Sequence, residues 1–295
     1  MREIRYIIEA SQEGRTVKSI ALKELRLSRG LLGSLKFRNA ILLDGMPVHT
    51  DARLLPGQTL TFLLHDPVSS LTPANADIRL IFEDEDYWIL DKPAPLPTLC
   101  SARQTGATAE NALYSLLGCP EDYLFRPVNR LDKGTSGLMT VARNTHAQQL
   151  LQKQLHTDSF VREYEAICEG TPEKEEGVID LPIGKTDSGC RRMICPDGKR
   201  ALTHYRVLHS ENGFSHLRLR LETGRTHQIR VHLSAIGCPI AGDYLYGQEH
   251  PLLPGRFALH ACFLSFCHPL TGETLRFASP MPKELYGLFF PVTRI

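Results

Sequence analysis

The chain of 295 residues is long enough for one large domain and one small one, and its 42% of hydrophobic residues can supply a sizeable core. Its net charge of +1 excludes a uniformly basic nucleic-acid-binding protein, so only the distribution of charge can indicate such a partner. The eight cysteines include no Cys-x-x-Cys pair, which disfavours a structural zinc site and favours free thiols in a reducing compartment.

The first part of the chain predicts two helices followed by a hairpin. Residues 16–25 repeat apolar side chains at helical spacing, and Ser28 is typical of the N-cap of a second helix that reaches Phe37. Asp44-Gly45 lies between two apolar runs and predicts a tight hairpin turn, and Pro56-Gly57 marks another turn.

A stretch rich in proline, serine, alanine and asparagine separates this unit from the remainder. We therefore predict a small α/β domain over residues 1–66, a linker over residues 67–76 and a large domain over residues 77–295. In the large domain strands outnumber helices and hairpin signals recur. This pattern predicts an α+β fold with a mixed, mainly antiparallel sheet.

The large domain alternates strand and helix signals along the chain. Strands are predicted within the segments 78–93, 128–144, 162–170 and 203–224. Helices are predicted over residues 108–117 and from a cap at Asn144 or Thr145 onwards. The segment 226–237 changes from strand-like to helix-like, and Gly237 closes it.

Basic residues are concentrated in two parts of the chain. Residues 15–38 hold seven arginines and lysines against Glu24 alone, and residues 191–232 hold nine against three acidic residues. Acidic residues concentrate instead in residues 82–91. Two basic clusters separated by an acidic one favour a polyanionic partner, although basic residues on an ordinary solvated surface give the same pattern.

The N-terminal unit resembles the alpha-L RNA-binding module of a small ribosomal-subunit protein and of several RNA-modifying enzymes. The resemblance rests on residues 27–29, the basic second helix, residues 41–45 and Pro56-Gly57. The cations that this helix would lay along an RNA backbone are Arg29, Lys36 and Arg38. A small basic domain with a protein partner is the alternative.

Three stretches of the large domain carry a second resemblance. Residues 126–138 read RPVNRLDKGTSGL, residues 160–170 read FVREYEAICEG, and residues 221–247 contain GRTHQIRVH. Together they resemble the RluA-type pseudouridine synthases over essentially all of residues 77–280. The resemblance implies the pseudouridine synthase catalytic fold, with an RNA substrate.

The reaction of that family dictates what the site must contain. The enzyme breaks the bond between ribose and a uracil nitrogen, turns the base, and joins uracil carbon 5 to the same ribose carbon. The product is an isomer of the substrate, so the resemblance implies neither a cofactor nor a metal. It does imply an ionised carboxylate beside the ribose, a platform for the detached base and a way to flip the base out of its stack.

The resemblance assigns these roles to residues of this chain. Asp132 is the expected catalytic aspartate, and Arg230 is the partner that keeps it charged and fixes its direction. Tyr164 is expected to stack on the uracil. Whether Asp132 attacks the ribose or takes a proton from its carbon 2 stays open. RNA contacts are also expected from Arg130, Arg225 and Lys92, and supporting contacts from His227, Gln228 and Asn129. Among these, Arg130 is expected to enter the RNA stack in place of the flipped nucleotide.

Asn129 departs from the family pattern, which usually has histidine there. An amide does not titrate near neutrality, so a proton-carrying role would be lost, whereas a hydrogen-bonding role would survive. We favour the hydrogen-bonding role. The departure also supports an alternative, a non-catalytic RNA-binding or ribosome-assembly protein with a degenerate synthase domain.

A zinc-dependent base deaminase is a further alternative, because such enzymes also flip bases. His209-Ser210-Glu211 matches its His-x-Glu motif, but no Pro-Cys-x-x-Cys follows. We therefore expect no metal.

The partner and location follow from the same features. The N-terminal module favours ribosomal RNA, with transfer RNA as the other candidate. The N-terminus lacks the apolar core of a signal peptide, and no run approaches the roughly 20 apolar residues of a spanning helix. We expect a cytoplasmic enzyme that acts as a monomer, without a membrane partner.

Overall fold

The computed structural model describes residues 2–64, 69–100, 106–155, 157–186 and 191–289. Its helices are α1 (Val17–Lys23), α2 (Arg29–Phe37), α3 (Ala109–Leu116), α4 (Thr145–Gln154), α5 (Gln228–Ala235) and α6 (Lys283–Tyr286). Its strands are β1 (Arg2–Ile7), β2 (Ile41–Leu43), β3 (Met46–Pro47), β4 (Thr59–Leu64), β5 (Arg79–Glu83), β6 (Tyr87–Lys92), β7 (Arg126–Pro127), β8 (Ser136–Ala142), β9 (Phe160–Glu169), β10 (Glu176–Asp180), β11 (Ile183–Lys185), β12 (Arg192–Ile194), β13 (Leu202–Glu211), β14 (Phe214–Leu221), β15 (Leu259–Cys267) and β16 (Thr274–Ala278). Within these ranges no helix has the length and apolar character needed to cross a bilayer.

Residues 2–64 form a small unit around a hydrophobic core of their own. A four-stranded sheet with the order β1-β4-β2-β3 packs with α1 and α2. The Thr16 hydroxyl accepts the Ser19 N–H at 3.2 Å, and the Ser28 hydroxyl accepts the Leu31 N–H at 3.1 Å, so each helix begins at a side-chain cap. Both predicted helices are confirmed, with α1 ending two residues before the predicted end.

Asp44 and Gly45 make the predicted tight turn between β2 and β3. Their φ angles of 50° and 84° are those that such a turn requires, and aspartate and glycine tolerate them. The Asp44 Oδ1 also accepts the Thr59 backbone N–H at 2.8 Å. The turn is thereby tied to β4.

The large domain is built on one mixed sheet with the strand order β10-β13-β14-β9-β15-β8-β6-β5, in which β16 pairs with β15 and β7 with β8. Among the described strands of this sheet, β8 and β15 form the one parallel pair, through Ser136–His260 and Gly137–Ala261. The strands β11 and β12 form a separate hairpin. The predicted α+β class and mainly antiparallel mixed sheet are confirmed.

Gly137 allows β8 and β15 to approach each other closely. Its φ is 107°, and a Cβ added there would lie 2.3 Å from the Ala261 carbonyl oxygen, so only glycine fits. Gly134 is similarly constrained, because a Cβ there would lie 2.6 Å from the Phe257 ring. The loop that carries Asp132 is therefore held against the centre of the sheet.

The predicted strand before this loop is wrong for residues 128–132. After β7, one more backbone hydrogen bond follows, from the Val128 N–H to Thr140 O at 2.8 Å, and the Asn129 side chain then accepts the Thr140 N–H at 2.8 Å in place of a backbone carbonyl. A side-chain hydrogen bond thus replaces one of the backbone hydrogen bonds between the two strands, and the backbone after Val128 is no longer in a strand. The second predicted strand is confirmed as β8.

The predicted helices of the large domain are confirmed as α3 and α4, and Asn144 caps α4 by accepting the Ala147 N–H at 2.8 Å. The strand-like beginning predicted for the segment 226–237 is wrong, because α5 begins at Gln228. His227 takes the left-handed conformation (φ 58°) immediately before it. Residues 228–233 are all buried, so the alternation of polar and apolar residues among them does not reflect the exposed and buried faces of a strand.

The predicted linker lies partly outside the described residues, since residues 65–68 are not among them, nor are residues 290–295 of the predicted large domain. Residues 69–77 have no regular secondary structure. They contact the large domain, where the Ser69 N–H donates to Glu121 O at 2.8 Å and the Ala74 N–H to Asn111 O at 3.4 Å. The proposed domain boundaries stay a prediction.

Candidate active site

The three sequence motifs of the large domain meet around one cleft of about 510 Å³. The predicted site residues that line it are Asp132, Tyr164, Arg230, Arg130, Arg225, His227, Gln228 and Asn129. A larger concavity of about 870 Å³ borders α2. Two charged side chains that line it, Arg143 and Glu83, are occupied by an ion pair of 2.7 Å with each other, and Asp132, Tyr164 and Arg230 lie in the smaller cleft instead. The smaller cleft is therefore the candidate active site.

Arg230 joins two carboxylates at the wall of this cleft. Its Nη1 donates to Asp132 Oδ2 at 3.1 Å, across 98 residues of sequence. Its Nε and Nη2 donate to the two carboxylate oxygens of Asp243, each at 2.7 Å. The Arg230 side chain is 3% exposed and Asp243 is fully buried, whereas the Asp132 side chain is 29% exposed. The arrangement leaves Asp132 as the carboxylate that a ligand in the cleft can reach.

The residues around Arg230 keep its guanidinium protonated. Burial acts to lower its pKa, but the carboxylates of Asp243 and Asp132 outweigh burial, and the pKa is raised. Its guanidinium also lies 4.3 Å from the ring centre of Phe257 and 5.0 Å from that of Tyr246. Arg230 is thus a fixed cation beside Asp132.

His227 is a second basic side chain beside Asp132, with its Nε2 3.9 Å from Asp132 Oδ2. Burial lowers the pKa of His227, and the nearby Arg230 and Arg192 lower it further, against the raising effect of Asp132. Its Nδ1 lies 2.9 Å from the Tyr246 hydroxyl, which itself accepts the Arg192 backbone N–H at 2.8 Å. These contacts favour a neutral imidazole whose orientation is fixed by Tyr246.

Tyr164 lies on β9 with its ring in the cleft. Inward and outward side chains alternate along this strand, and Tyr164 shares the buried face with Phe160 and Arg162. The tyrosine is 6% exposed, and burial raises the pKa of its phenol, which therefore stays neutral. The cleft thus presents a flat aromatic surface near the Asp132 carboxylate.

Gln228 and Arg225 organise the loop before α5. The Gln228 Oε1 accepts the Thr223 hydroxyl at 2.8 Å and the Arg225 backbone N–H at 2.9 Å, while its Nε2 donates to Leu202 O and Thr203 Oγ1 at 3.0 Å each. The Arg225 Nε donates to Arg200 O at 2.9 Å. Gln228 therefore stabilises the loop through its side-chain amide, and the Arg225 Nε contributes a further hydrogen bond to it.

Asn129 and Arg130 precede Asp132 and face different surroundings. Asn129 is buried, and its amide oxygen is engaged by the Thr140 N–H. Arg130 is exposed at the cleft. The hydrogen bond that Asn129 accepts does not require a titratable side chain at this position. The exposed Arg130 side chain can reach a ligand in the cleft.

The predicted RNA contact of Lys92 is wrong for this conformation of the protein. Lys92 is fully buried, and its Nζ donates to Pro93 O at 2.9 Å and Leu96 O at 2.7 Å. Burial lowers its pKa to about 7, against the raising effect of nearby Asp132. A side chain held inside the protein by two carbonyls does not reach RNA.

Lys92 acts on the site through the loop that it holds. Leu96 N–H donates to Lys133 O at 2.9 Å, and the Thr98 hydroxyl donates to Leu131 O at 2.6 Å. These two hydrogen bonds engage the backbone on either side of Asp132. Lys92 therefore helps to fix the position of the catalytic candidate.

The cations of the N-terminal unit lie outside the cleft. Arg29, Lys36 and Arg38 are exposed on α2 and at its C-cap. Arg29 and Lys36 are seven residues apart and share one helical face. They belong to a second surface, and none of the three lines the cleft.

Sequence reasoning missed three residues of the site. Asp243 and Tyr246 follow Gly242 in a segment that has the composition of an ordinary turn, and Arg162 is a charged residue in a strand, where outward orientation is the default. The signal that could have found Arg162 is its position two residues before Tyr164, on the same face of the strand.

The metal-site motif of the deaminase alternative is absent from the cleft. His209 and Glu211 pair with each other at 3.2 Å at the exposed end of β13. Over the described ranges, no group of three or more histidine, cysteine or acidic side chains is arranged to hold a metal ion.

Comparison with known proteins identifies pseudouridine synthases as relatives of this chain. A family model described as RNA pseudouridylate synthase matches residues 86–235, a range that includes Asp132, Tyr164 and Arg230. The ribosomal large subunit pseudouridine synthase D of Pseudomonas aeruginosa is 39% identical over 230 residues, covering 72% of this chain and 71% of that protein. The protein of the same description from Vibrio vulnificus is 34% identical and covers 97% of this chain and 93% of its own.

A solved structure has the same fold. The human RNA pseudouridylate synthase domain containing 1 is 25% identical, with a TM-score of 0.57, covering 71% of this chain and 86% of that one. A Bacillus subtilis protein described as the uncharacterized RNA pseudouridine synthase YlyB is 34% identical over 84% of each chain.

Proposed function

The chain belongs to the RNA pseudouridine synthase family, and from that premise we propose that Asp132 is its catalytic carboxylate and that large-subunit ribosomal RNA is its substrate. The enzyme is an isomerase, and its substrate is RNA. The observation that carries the assignment of Asp132 is its 3.1 Å hydrogen bond from Arg230 at a cleft that also contains the Tyr164 ring.

The geometry supports a specific division of work. The Asp132 carboxylate, partly exposed, acts on the ribose of the target nucleotide and promotes cleavage of the glycosidic bond. Arg230 keeps that carboxylate ionised and aimed into the cleft, because its own position is fixed by the fully buried Asp243. Tyr164 holds the detached uracil by stacking while it turns and presents carbon 5 to the ribose.

Access to the base requires that the nucleotide leave its stack. Arg130 supports this step, since it is exposed at the cleft and lies two residues before Asp132. We propose that its guanidinium enters the RNA in the space that the flipped nucleotide leaves. Arg225, which borders the same cleft, contacts the RNA backbone next to it.

The choice of ribosomal RNA has two supports. Relatives with 34% to 40% identity are described as ribosomal large subunit pseudouridine synthases. The N-terminal unit also exposes Arg29, Lys36 and Arg38 outside the cleft, as a second contact to a large structured RNA. We propose that this unit is an RNA-binding domain, that the enzyme acts as a monomer because one chain supplies the whole cleft, and that it works in the cytoplasm.

The test is a map of pseudouridine positions in total cellular RNA from cells with the gene, without it, and with the Asp132→Asn variant in its place. We expect one or a few positions of large-subunit ribosomal RNA to lose pseudouridine in both altered strains. Loss confined to transfer RNA would contradict the proposed substrate, and full modification by Asp132→Asn would contradict the proposed carboxylate.

A further inference from the structure

Arg162 is a buried cation on the wall of the active-site cleft to which the reaction gives no role. It lies on β9 in the inward-facing series with Tyr164, is 6% exposed, and is one of the residues that line the cleft. Residues two apart on a strand are separated by roughly 6.6 Å and point the same way. Arg162 and Tyr164 therefore present a guanidinium and an aromatic ring side by side.

The guanidinium of Arg162 is poorly satisfied by the residues that the structure describes. Among them, its buried Nε has no hydrogen-bond acceptor, and its Nη2 makes one long contact, of 3.4 Å with Leu155 O. Its Cζ lies 5.7 Å from the Phe160 ring centre. In the part of the chain that the structure describes, no carboxylate lies within 4.0 Å of it. A buried guanidinium without a carboxylate is unfavourable unless another anion engages it.

Gly224 keeps one edge of this guanidinium uncovered. A Cβ added at Gly224 would lie 3.0 Å from Arg162 Nη1, closer than side chains ordinarily pack. Gly224 is itself exposed and lines the cleft, in the loop between β14 and α5. The glycine thus leaves room beside Nη1 on the side where RNA enters.

We propose that Arg162 binds a backbone phosphate of the nucleotide whose uracil rests on Tyr164. A guanidinium matches a phosphate in charge and in its paired donor geometry. Because the two positions lie roughly 6.6 Å apart on one face of the strand, the two side chains can engage the base and the phosphate of a single nucleotide. This inference rests on the proposed function, and it makes the phosphate part of what the site recognises.

A purely structural role makes a different prediction. If Arg162 served only to cap the C-terminus of α4 through Leu155 O, its removal would lower stability and leave substrate discrimination unchanged. The test must therefore measure recognition of phosphate directly. Uridine and uridine 5′-monophosphate provide that measurement, because they differ by the phosphate alone.

The experiment measures inhibition of tritium release from ribosomal RNA labelled at uracil carbon 5, using uridine, uridine 5′-monophosphate and inorganic phosphate as inhibitors. We expect the wild type to bind the monophosphate roughly tenfold more tightly than uridine, as for a charged hydrogen bond. In Arg162→Gln the two should bind within about twofold of each other, with uridine itself unaffected. The matched control is Arg276→Gln, an exposed arginine on β16 outside the cleft, which should behave as wild type.

Gly224→Ala provides a second variant that keeps the charge of Arg162. It should weaken the preference for the monophosphate while uridine binding is retained. An unchanged preference in Arg162→Gln, or no preference in the wild type, would overturn the proposal. Inorganic phosphate that inhibits as strongly as the monophosphate would overturn the assignment to the nucleotide. A wild type that releases no tritium from RNA would instead count against the proposed function.

Discussion

Asp243, fully buried, holds Arg230 by two hydrogen bonds of 2.7 Å, from Nε to Oδ2 and from Nη2 to Oδ1. The Asp243 Oδ1 also accepts the backbone N–H of Leu245 at 3.1 Å. Asp243 therefore fixes both the position and the orientation of the Arg230 guanidinium that contacts Asp132. Arg230 thus binds two aspartates, and we propose that the buried Asp243 orients Arg230 while the accessible Asp132 reacts.

Asp243→Asn tests this division. The amide can accept one of the two hydrogen bonds but leaves Arg230 without its buried counter-charge, so the guanidinium is expected to shift relative to Asp132. We expect kcat for tritium release to fall about 100-fold, as for a small misplacement of a catalytic group. The free energy of unfolding is expected to fall by about 3–5 kcal/mol, as when one partner of a buried ion pair is removed.

The control for this variant is Asp158→Asn, since the Asp158 side chain is fully exposed and lies 3.9 Å from its nearest cation, Arg220. It should change neither quantity. Wild-type kcat in folded Asp243→Asn would contradict the positioning role.

Lys92→Met tests how Lys92 holds the loop beside Asp132. The change leaves the carbonyls of Pro93 and Leu96 without their donor, and we expect unfolding to become easier by about 2–4 kcal/mol. We also expect kcat to fall, because the loop fixes the backbone of Leu131 and Lys133. Urea unfolding and tritium release measure the two effects.

The pH dependence of the Lys92 contribution has a definite sign. Its folded-state pKa is lowered to about 7, mainly by burial, below its ordinary value of 10.5. Between these values the unfolded chain binds a proton that the folded chain does not, so stability rises with pH. The difference in unfolding free energy between wild type and Lys92→Met should therefore be flat below about pH 6 and change steadily, in favour of the wild type, from pH 7 towards 10. A difference that is constant or moves the other way over that range would refute the lowered pKa.

Asn129→His tests whether this position carries a proton. The structure gives Asn129 the role of acceptor for the Thr140 N–H, and an imidazole nitrogen can accept the same bond. We expect kcat within about fivefold of wild type and a superimposable pH profile, since the hydrogen bond is retained. Asn129→Leu, which leaves the N–H unpaired, should cost about 1–3 kcal/mol of stability. A new ionisation in the pH profile of Asn129→His would show that a titrating group at this position affects catalysis.

Charge reversal on α2 tests the RNA-binding role of the N-terminal unit. In Arg29→Glu with Lys36→Glu we expect weaker binding to ribosomal RNA and a shallower dependence of affinity on salt, by roughly 0.7–0.9 in the log–log slope for each phosphate that is no longer neutralised. The control is Arg276→Glu with Lys283→Glu, which makes the same change at two exposed positions outside both surfaces. If the two double variants changed RNA affinity and its salt dependence equally, α2 would have no specific role in RNA binding.

The sequence predicted the parts of the site that local motifs encode. Asp132 and Arg230 were paired from motifs 98 residues apart, and the structure brings them to 3.1 Å. The helix caps at Ser28 and Asn144 could also be predicted, because a cap depends on residues within one turn.

The remainder depends on tertiary surroundings. Lys92 was expected to contact RNA from the family resemblance, whereas the two carbonyls that hold it inside the protein come from the folded loop of Pro93 and Leu96. Asp243 reads as a turn residue until Arg230 is placed against it. The strand-like beginning expected for the segment 226–237 is wrong because α5 is buried along residues 228–233, so the alternation of polar and apolar residues there does not mark an exposed side.

The most direct test of the account is tritium release from ribosomal RNA labelled at uracil carbon 5, comparing the wild type with Asp132→Asn. Joining carbon 5 to the ribose displaces its hydrogen, so release reports completed isomerisation. We predict release by the wild type and a reduction of at least about 10³-fold in Asp132→Asn, with RNA binding and folding retained. Release by Asp132→Asn at the wild-type rate would contradict the central claim that this carboxylate performs the chemistry.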